Sequence, residues 1–127
     1  MTAPVWIDAL VRDFGRGAGI ENFSLGERNA AAVSFENGRT LRFEWTHGVL
    51  AIEVAAPAAP SPATMKRLLA FAHPAAVRGA RIRAGWLPKR QAAVLAMLLA
   101  ERDATLPAVN GAFDALWRAA DEIGGGR

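Results

Sequence analysis

Residues 33–54 read VSFENGRTLRFEWTHGVLAIEV. Apolar side chains stand at every second position: Val33 and Phe35, then Leu41, Phe43 and Trp45, then Leu50, Ile52 and Val54. A period of two is that of a strand with one buried face. Asn37-Gly38 interrupts the alternation, and because both residues tolerate positive φ the pair is a strong hairpin signal. His47-Gly48 marks a second tight corner. Ser34, Glu36, Arg42, Glu44 and Glu53 fall on the opposite face. The stretch predicts an antiparallel meander, buried on one side and wet on the other.

Upstream, Phe23, Leu25 and Ala31 extend the alternation back toward a glycine-rich corner at Gly15, Gly17 and Gly19. Before that corner the period is helical. Trp6, Ile7, Leu10, Val11 and Phe14 recur on one side of a helix near residues 3–14, with Asp8, Arg12 and Asp13 on the other. Thr2 is the expected cap, Pro4 lies in the first turn, and Gly15 is the expected stop.

Downstream, AAPAAPSPA (residues 55–63) predicts a link without internal structure. It closes on Ser61-Pro62, an N-cap followed by proline at the first helical position. Met65, Leu68, Leu69 and Ala72 define a short helix that must end before Pro74. Ile82, Ala84 and Trp86 alternate with Arg81, Arg83 and Gly85. QAAVLAMLLA (residues 91–100) is helical by propensity, yet a continuous apolar run also fits a buried strand, and both readings stay open. Thr105 caps a last amphipathic helix carrying Leu106, Val109, Phe113, Leu116, Trp117 and Ala120, with residues 124–127 expected to fray.

The chain has 127 residues and 13.5 kDa, which suits one domain spanning residues 1–127. With 52% hydrophobic and 21% charged residues it can bury a core. No apolar run reaches the roughly 18–20 residues of a membrane span. The opening residues mix charges into their apolar stretch, unlike a secretory signal. With 0 Cys, 2 His and 0 Tyr, a disulfide framework and a thiolate metal site are excluded and the catalytic repertoire is thin. The balance of 15 Lys+Arg against 12 Asp+Glu gives a net +3, only a mild hint of acidic partners.

Gly15-Arg16-Gly17-Ala18-Gly19 follows a helix and precedes a strand, the reverse of a phosphate-cradling loop, so it reads as a helix stop. His47 and His73 have no second ligand at metal spacing and read as a turn residue and a helix-end residue. Glu101 and Asp103 read as a solvated junction rather than an acid/base pair. Arg78, Arg81, Arg83, Lys89 and Arg90, with Trp86 as a stacking platform, make the case for the alternative function, a basic nucleic-acid-binding module. Four Trp and six Phe leave more apolar surface than one small domain covers, which points to a second copy or a peptide partner.

The order of elements resembles the class I type III secretion chaperones, small dimeric proteins that hold effectors for export from Gram-negative bacteria. The likeness runs over nearly the whole chain: the first helix, VSFENG, RTLRFEWTHGVLAIEVA, the short helix at PATMKRLLAFA and the ending AVNGAFDALWRAADEI. It implies an α+β fold with an antiparallel twisted sheet of about five strands and three helices, in the order α-β-β-β-α-β-β-α. Residues 80–87 and 91–99 then become the last two strands, joined at Pro88-Lys89-Arg90. It further implies a homodimer pairing through Leu68, Leu69, Phe71, Ile82, Ala84 and Trp86. A non-globular N-terminal segment of a secreted effector would bind near Trp6, Leu10, Leu41, Phe43 and Trp45. The implied setting is the bacterial cytoplasm, with the export apparatus as a further partner. Catalysis, cofactor, metal, nucleic acid and membrane insertion play no part in this reading. Members of the family are typically acidic and this chain is basic, a departure that bears on the cargo.

Overall fold

A computed structural model describes residues 2–72 and 82–124; His73, Arg78 and Arg81 lie outside the described residues. The described residues form three helices and five strands: α1 (Val5–Gly17), β1 (Ala30–Ser34), β2 (Thr40–Thr46), β3 (Val49–Pro57), α2 (Pro62–Ala72), β4 (Arg83–Leu87), β5 (Ala92–Ala100) and α3 (Leu106–Ile123). The strands make one antiparallel sheet in the order β1-β2-β3-β5-β4. α3 lies across β3 and β5, α1 packs on α3, and α2 packs on β4 and α3.

Both hairpins form where the turn residues place them. In the first, the Gly38 N–H bonds to the Phe35 C=O at 3.0 Å and the Phe35 N–H to the Arg39 C=O at 2.9 Å. Gly38 sits at φ +87, while Asn37 is not among the residues with positive φ, so one left-handed residue closes this turn rather than two. In the second, His47 and Gly48 both take positive φ between the paired Thr46 and Val49, a two-residue loop of the kind that matches strand twist. QAAVLAMLLA resolves as β5, paired to β3 over nine residues and to β4 over five. Helical propensity differs between residues by less than about 1 kcal/mol, and the ladder on both sides outweighs it.

The ends of the elements depart from expectation. α1 does not stop at Gly15; it runs to Gly17, and its N-cap is Pro4, with no side-chain cap from Thr2. Gly15 is buried inside the helix because the chain returns across it: an added Cβ there would lie 2.7 Å from the Phe23 Cβ. Phe23 and Leu25 are core residues but belong to the connection before β1, not to a strand. Asp8 holds that connection, its Oδ1 accepting the Leu25 N–H at 2.8 Å. The link at 55–63 is structured at its start, since β3 continues through Pro57. Ser61 caps α2 by accepting the Thr64 N–H on Oγ at 3.1 Å, and Thr105 caps α3 by accepting the Ala108 N–H at 3.2 Å.

The core lies between the sheet and the helices. Leu41, Phe43, Trp45, Leu50, Ile52, Val54 and Leu95 meet Ile7, Val11, Phe14, Val109 and Leu116. Phe43 centres an aromatic group, with Phe14 at 5.0 Å and Phe23 at 5.2 Å between ring centroids. Gly15→Ala is expected to cost about 1–3 kcal/mol, because Phe23 must give way to a methyl group in a packed interior. Chemical denaturation would show this as a lower midpoint at unchanged slope. An unchanged midpoint would mean that the two segments are not in contact.

Candidate functional site

Three surfaces carry the residues of interest. The first is the free edge of β1. In an antiparallel pair, alternate residues turn their N–H and C=O groups toward the neighbour and away from it. The bonds from the Trp45 N–H to the Asn29 C=O and from the Phe35 N–H to the Arg39 C=O set the parity. Residues 31 and 33 therefore face β2, while Ala32 and Ser34 direct their backbone groups outward, past the last strand of the sheet. Both residues are exposed. Such an edge accepts an added strand.

The second surface is the groove at the start of α1. Trp6, Gly48, Ala100, Glu101, Arg102, Ala104 and Thr105 line a groove of about 710 Å³. A neighbouring groove includes Trp45 and His47. Of the five residues expected to line an effector pocket, only Trp6 is at the surface, 46% exposed, next to Val5 at 88%. Leu41 and Phe43 are fully buried, and Leu10 and Trp45 are nearly so. All four belong to the core between the sheet and the helices, the sheet residues pointing to its helix-covered face. The expectation of a pocket lined by Leu10, Leu41 and Phe43 is corrected accordingly.

The third surface is the face formed by α2 and β4. Leu69 is 70% exposed on α2, and Phe71, Ala84 and Trp86 are half-buried beside it in the same pair of elements. Leu68 and Ile82 are buried in the core of the chain itself. Five cations belong to this region and all are exposed or part-exposed: Lys66 and Arg67 on α2, Arg83 on β4, and Lys89 and Arg90 in the turn that follows. Arg83 and Trp86 differ by an odd number of positions on β4 and so point to opposite faces of the sheet. One nucleic-acid strand cannot meet Arg83 with its phosphates and Trp86 with its bases on one face.

The outer face of β2 and β3 is polar. Arg42 Nη1 donates to Glu44 Oε1 at 2.8 Å, and this hydrogen bond raises the Arg42 pKa above its ordinary value against a small opposing effect of burial. Both side chains are substantially exposed, so the pair contributes little to stability. Farther along, on β5, the outer face becomes apolar, with Val94, Ala96 and Leu98. Among the described residues no group of three or more His, Asp or Glu is placed to hold a metal ion, and no helix is long and apolar enough to cross a membrane. Glu101 and Asp103 are exposed in a short 3-10 turn.

The alternation of residues 30–34 was open to sequence reading, but the position of β1 at the edge was not. Strand order follows from how α2 carries the chain from β3 across to β4, and no local pattern records it. The exposure of Val5 and Leu98 was likewise missed, since each sits in a run otherwise consistent with core.

A protein-family model described as type III secretory system chaperone SycN matches residues 6–124. Comparison with curated protein sequences gives no match. Among solved structures, a chain of the ExsC–ExsE complex superimposes with a TM-score of 0.75 at 14% identity, covering 98% of this chain and 95% of that one. The complex of the Yersinia pestis type III secretion chaperone SycH with a stable fragment of YscM2 gives 0.71 at 16% identity, covering 92% and 98%. The HopA1–SchA chaperone–effector complex gives 0.73 at 11% identity, covering 97% and 98%. At these identities the likeness to the solved structures is one of fold.

Proposed function

Because the chain belongs to the SycN family of type III secretory system chaperones, we propose that it is a dimeric binding protein that holds an extended segment of a secreted effector in the bacterial cytoplasm. The observation that carries this reading is the open edge of β1, where Ala32 and Ser34 offer outward backbone groups. Backbone pairing there supplies affinity for almost any extended sequence, and side chains of the bound segment alternate into neighbouring apolar surface to set register. The groove beside Trp6 lies at the Gly48 turn of the meander. Two similar structures are described as a chaperone with a YscM2 fragment and as a chaperone–effector complex, which accords with a polypeptide cargo. Holding such a segment needs affinity without chemistry, so no reactive group, cofactor or metal enters the proposal.

The second copy is proposed to pack on the α2–β4 face through Leu69, Phe71, Ala84 and Trp86, with Leu68 and Ile82 supporting it from beneath. Such a dimer has a mass of about 27 kDa, twice 13.5 kDa.

The edge is tested with Ala32→Pro. Proline removes the outward N–H and sets its ring where the next strand would lie, yet an edge position with a solvent-facing N–H tolerates it. Circular dichroism and melting are expected to stay near wild type. Affinity for linear peptides selected on the wild-type protein from a random displayed library is expected to fall by at least about tenfold. Equal affinity in both proteins would remove β1 from the cargo site.

A further inference from the structure

The β1–β2 hairpin is gripped by the last helix at one residue. Arg39 is only 13% exposed although it follows an open turn. Its Nη2 donates to Asp121 Oδ1 at 2.6 Å and its Nη1 to the Trp117 C=O at 3.5 Å. The guanidinium carbon lies 4.6 Å from the Trp117 ring centroid, a cation–π contact. From the other arm of the hairpin, Phe35 meets the same ring edge-on at 5.1 Å. Phe113, at 5.3 Å, backs that tryptophan from within α3.

β1 is five residues long, lies at the sheet edge and, among the described residues, pairs with β2 alone, its inward Ala31 and Val33 resting on the core. Its start is fixed through Asn29, whose C=O accepts the Trp45 N–H at 2.8 Å and whose Oδ1 accepts the Ala3 N–H at 2.9 Å. Its end is fixed through Phe35 and Arg39. A strand added at Ala32 and Ser34 forms regular hydrogen bonds only while those groups stay in the plane of the sheet. A hairpin whose tip lifts from α3 lets the end of β1 fray from β2 and turns them out of that plane.

We infer that Arg39, acting through Trp117 and Asp121, is a positioning residue that keeps the β1 edge set to receive a peptide strand. The inference rests on the reading of β1 as the cargo edge. Arg39 works through the hairpin and is given no contact with the peptide. Removing an ion pair and a cation–π contact from a half-sheltered site shifts the docked hairpin toward the undocked one by about tenfold. Peptide affinity then falls with the fraction that remains docked.

The test uses the full chain, with linear peptides selected on the wild-type protein from a random displayed library as the probe. Amide hydrogen exchange and peptide affinity are measured for wild type, Arg39→Ala, Asp121→Arg and Arg39→Lys. Asp121 is 62% exposed, so reversing its charge repels Arg39 without disturbing the core. In Arg39→Ala and Asp121→Arg, for a hairpin docked about ten to one in the wild type, the amides of Ala31 and Val33 are expected to exchange about fivefold faster, with β3 and β5 unchanged and affinity about twofold weaker. Arg39→Lys keeps a cation over the ring and beside Asp121 and is expected to stay close to wild type. Unchanged exchange in β1, faster exchange in all strands alike, or wild-type affinity in both variants would overturn the inference. If the peptides fail to protect Ala32 and Ser34 in the wild-type protein, it is the cargo-edge reading that falls, and the positioning role falls with it.

Discussion

Phe43→Ala is expected to unfold the protein more readily than to blunt its binding. The side chain is fully buried and touches two other aromatic rings, so truncation leaves a cavity flanked by Phe14 and Phe23. Large aromatic-to-alanine changes in cores cost about 3–5 kcal/mol. A small domain has about 5–15 kcal/mol in all, so the melting temperature should drop by more than about 10 °C. Phe43→Leu refills most of the volume and should lose about 1 kcal/mol. The pair of variants also separates core from pocket. A residue that lines a cargo pocket would show normal melting with lost binding in Phe43→Ala, and that outcome would return Phe43 to the binding surface.

Phe43 illustrates what a sequence can and cannot place. Its alternation with Leu41 and Trp45 makes the strand legible, because periodicity is a property of neighbours in the chain. Which side of the strand is covered, and by what, depends on α1 and α3 arriving from both ends of the chain. The hairpins were legible for the same local reason, although the first closes on Gly38 alone in the left-handed region where both Asn37 and Gly38 were expected. Gly15 was misread because its partner, Phe23, approaches from a connection whose path no pattern specifies. β5 shows the opposite limit: its residues favour a helix one by one, and the two strands that flank it decide otherwise. Resemblance of the whole layout resolved that stretch where propensity could not. Of the residues expected in the cargo site, Trp6 reached the surface because it stands at the margin of the α1 stripe of Ile7, Leu10, Val11 and Phe14 that enters the core.

Leu69→Glu is expected to raise the dimer dissociation constant by at least about a hundredfold, read as a shift from about 27 kDa toward 13.5 kDa in sedimentation at micromolar concentration. Leu69 is the most exposed large apolar residue of α2, so the change leaves the fold of one chain intact. Across a two-fold interface each substitution acts twice, placing two carboxylates in an apolar contact that neither can pair. An unaltered mass would remove the α2–β4 face as the dimer contact. The cations of the same region, Lys66, Arg67, Arg83, Lys89 and Arg90, make a second test whose sign is informative. Residues 62–72 and 83–87 contain no Asp or Glu, so two copies packed through α2 and β4 bring their cations toward one another, and salt screens them over about 10 Å at 0.1 M. The wild-type dimer should therefore tighten as salt rises. Binding of a nucleic acid to the same cations must weaken with salt, steeply, through release of counterions. One salt titration of wild-type protein by sedimentation, alone and with a duplex oligonucleotide, thus sets the two uses of this surface against each other. A dimer that loosens with salt would mean that these cations meet carboxylates of the second copy rather than one another.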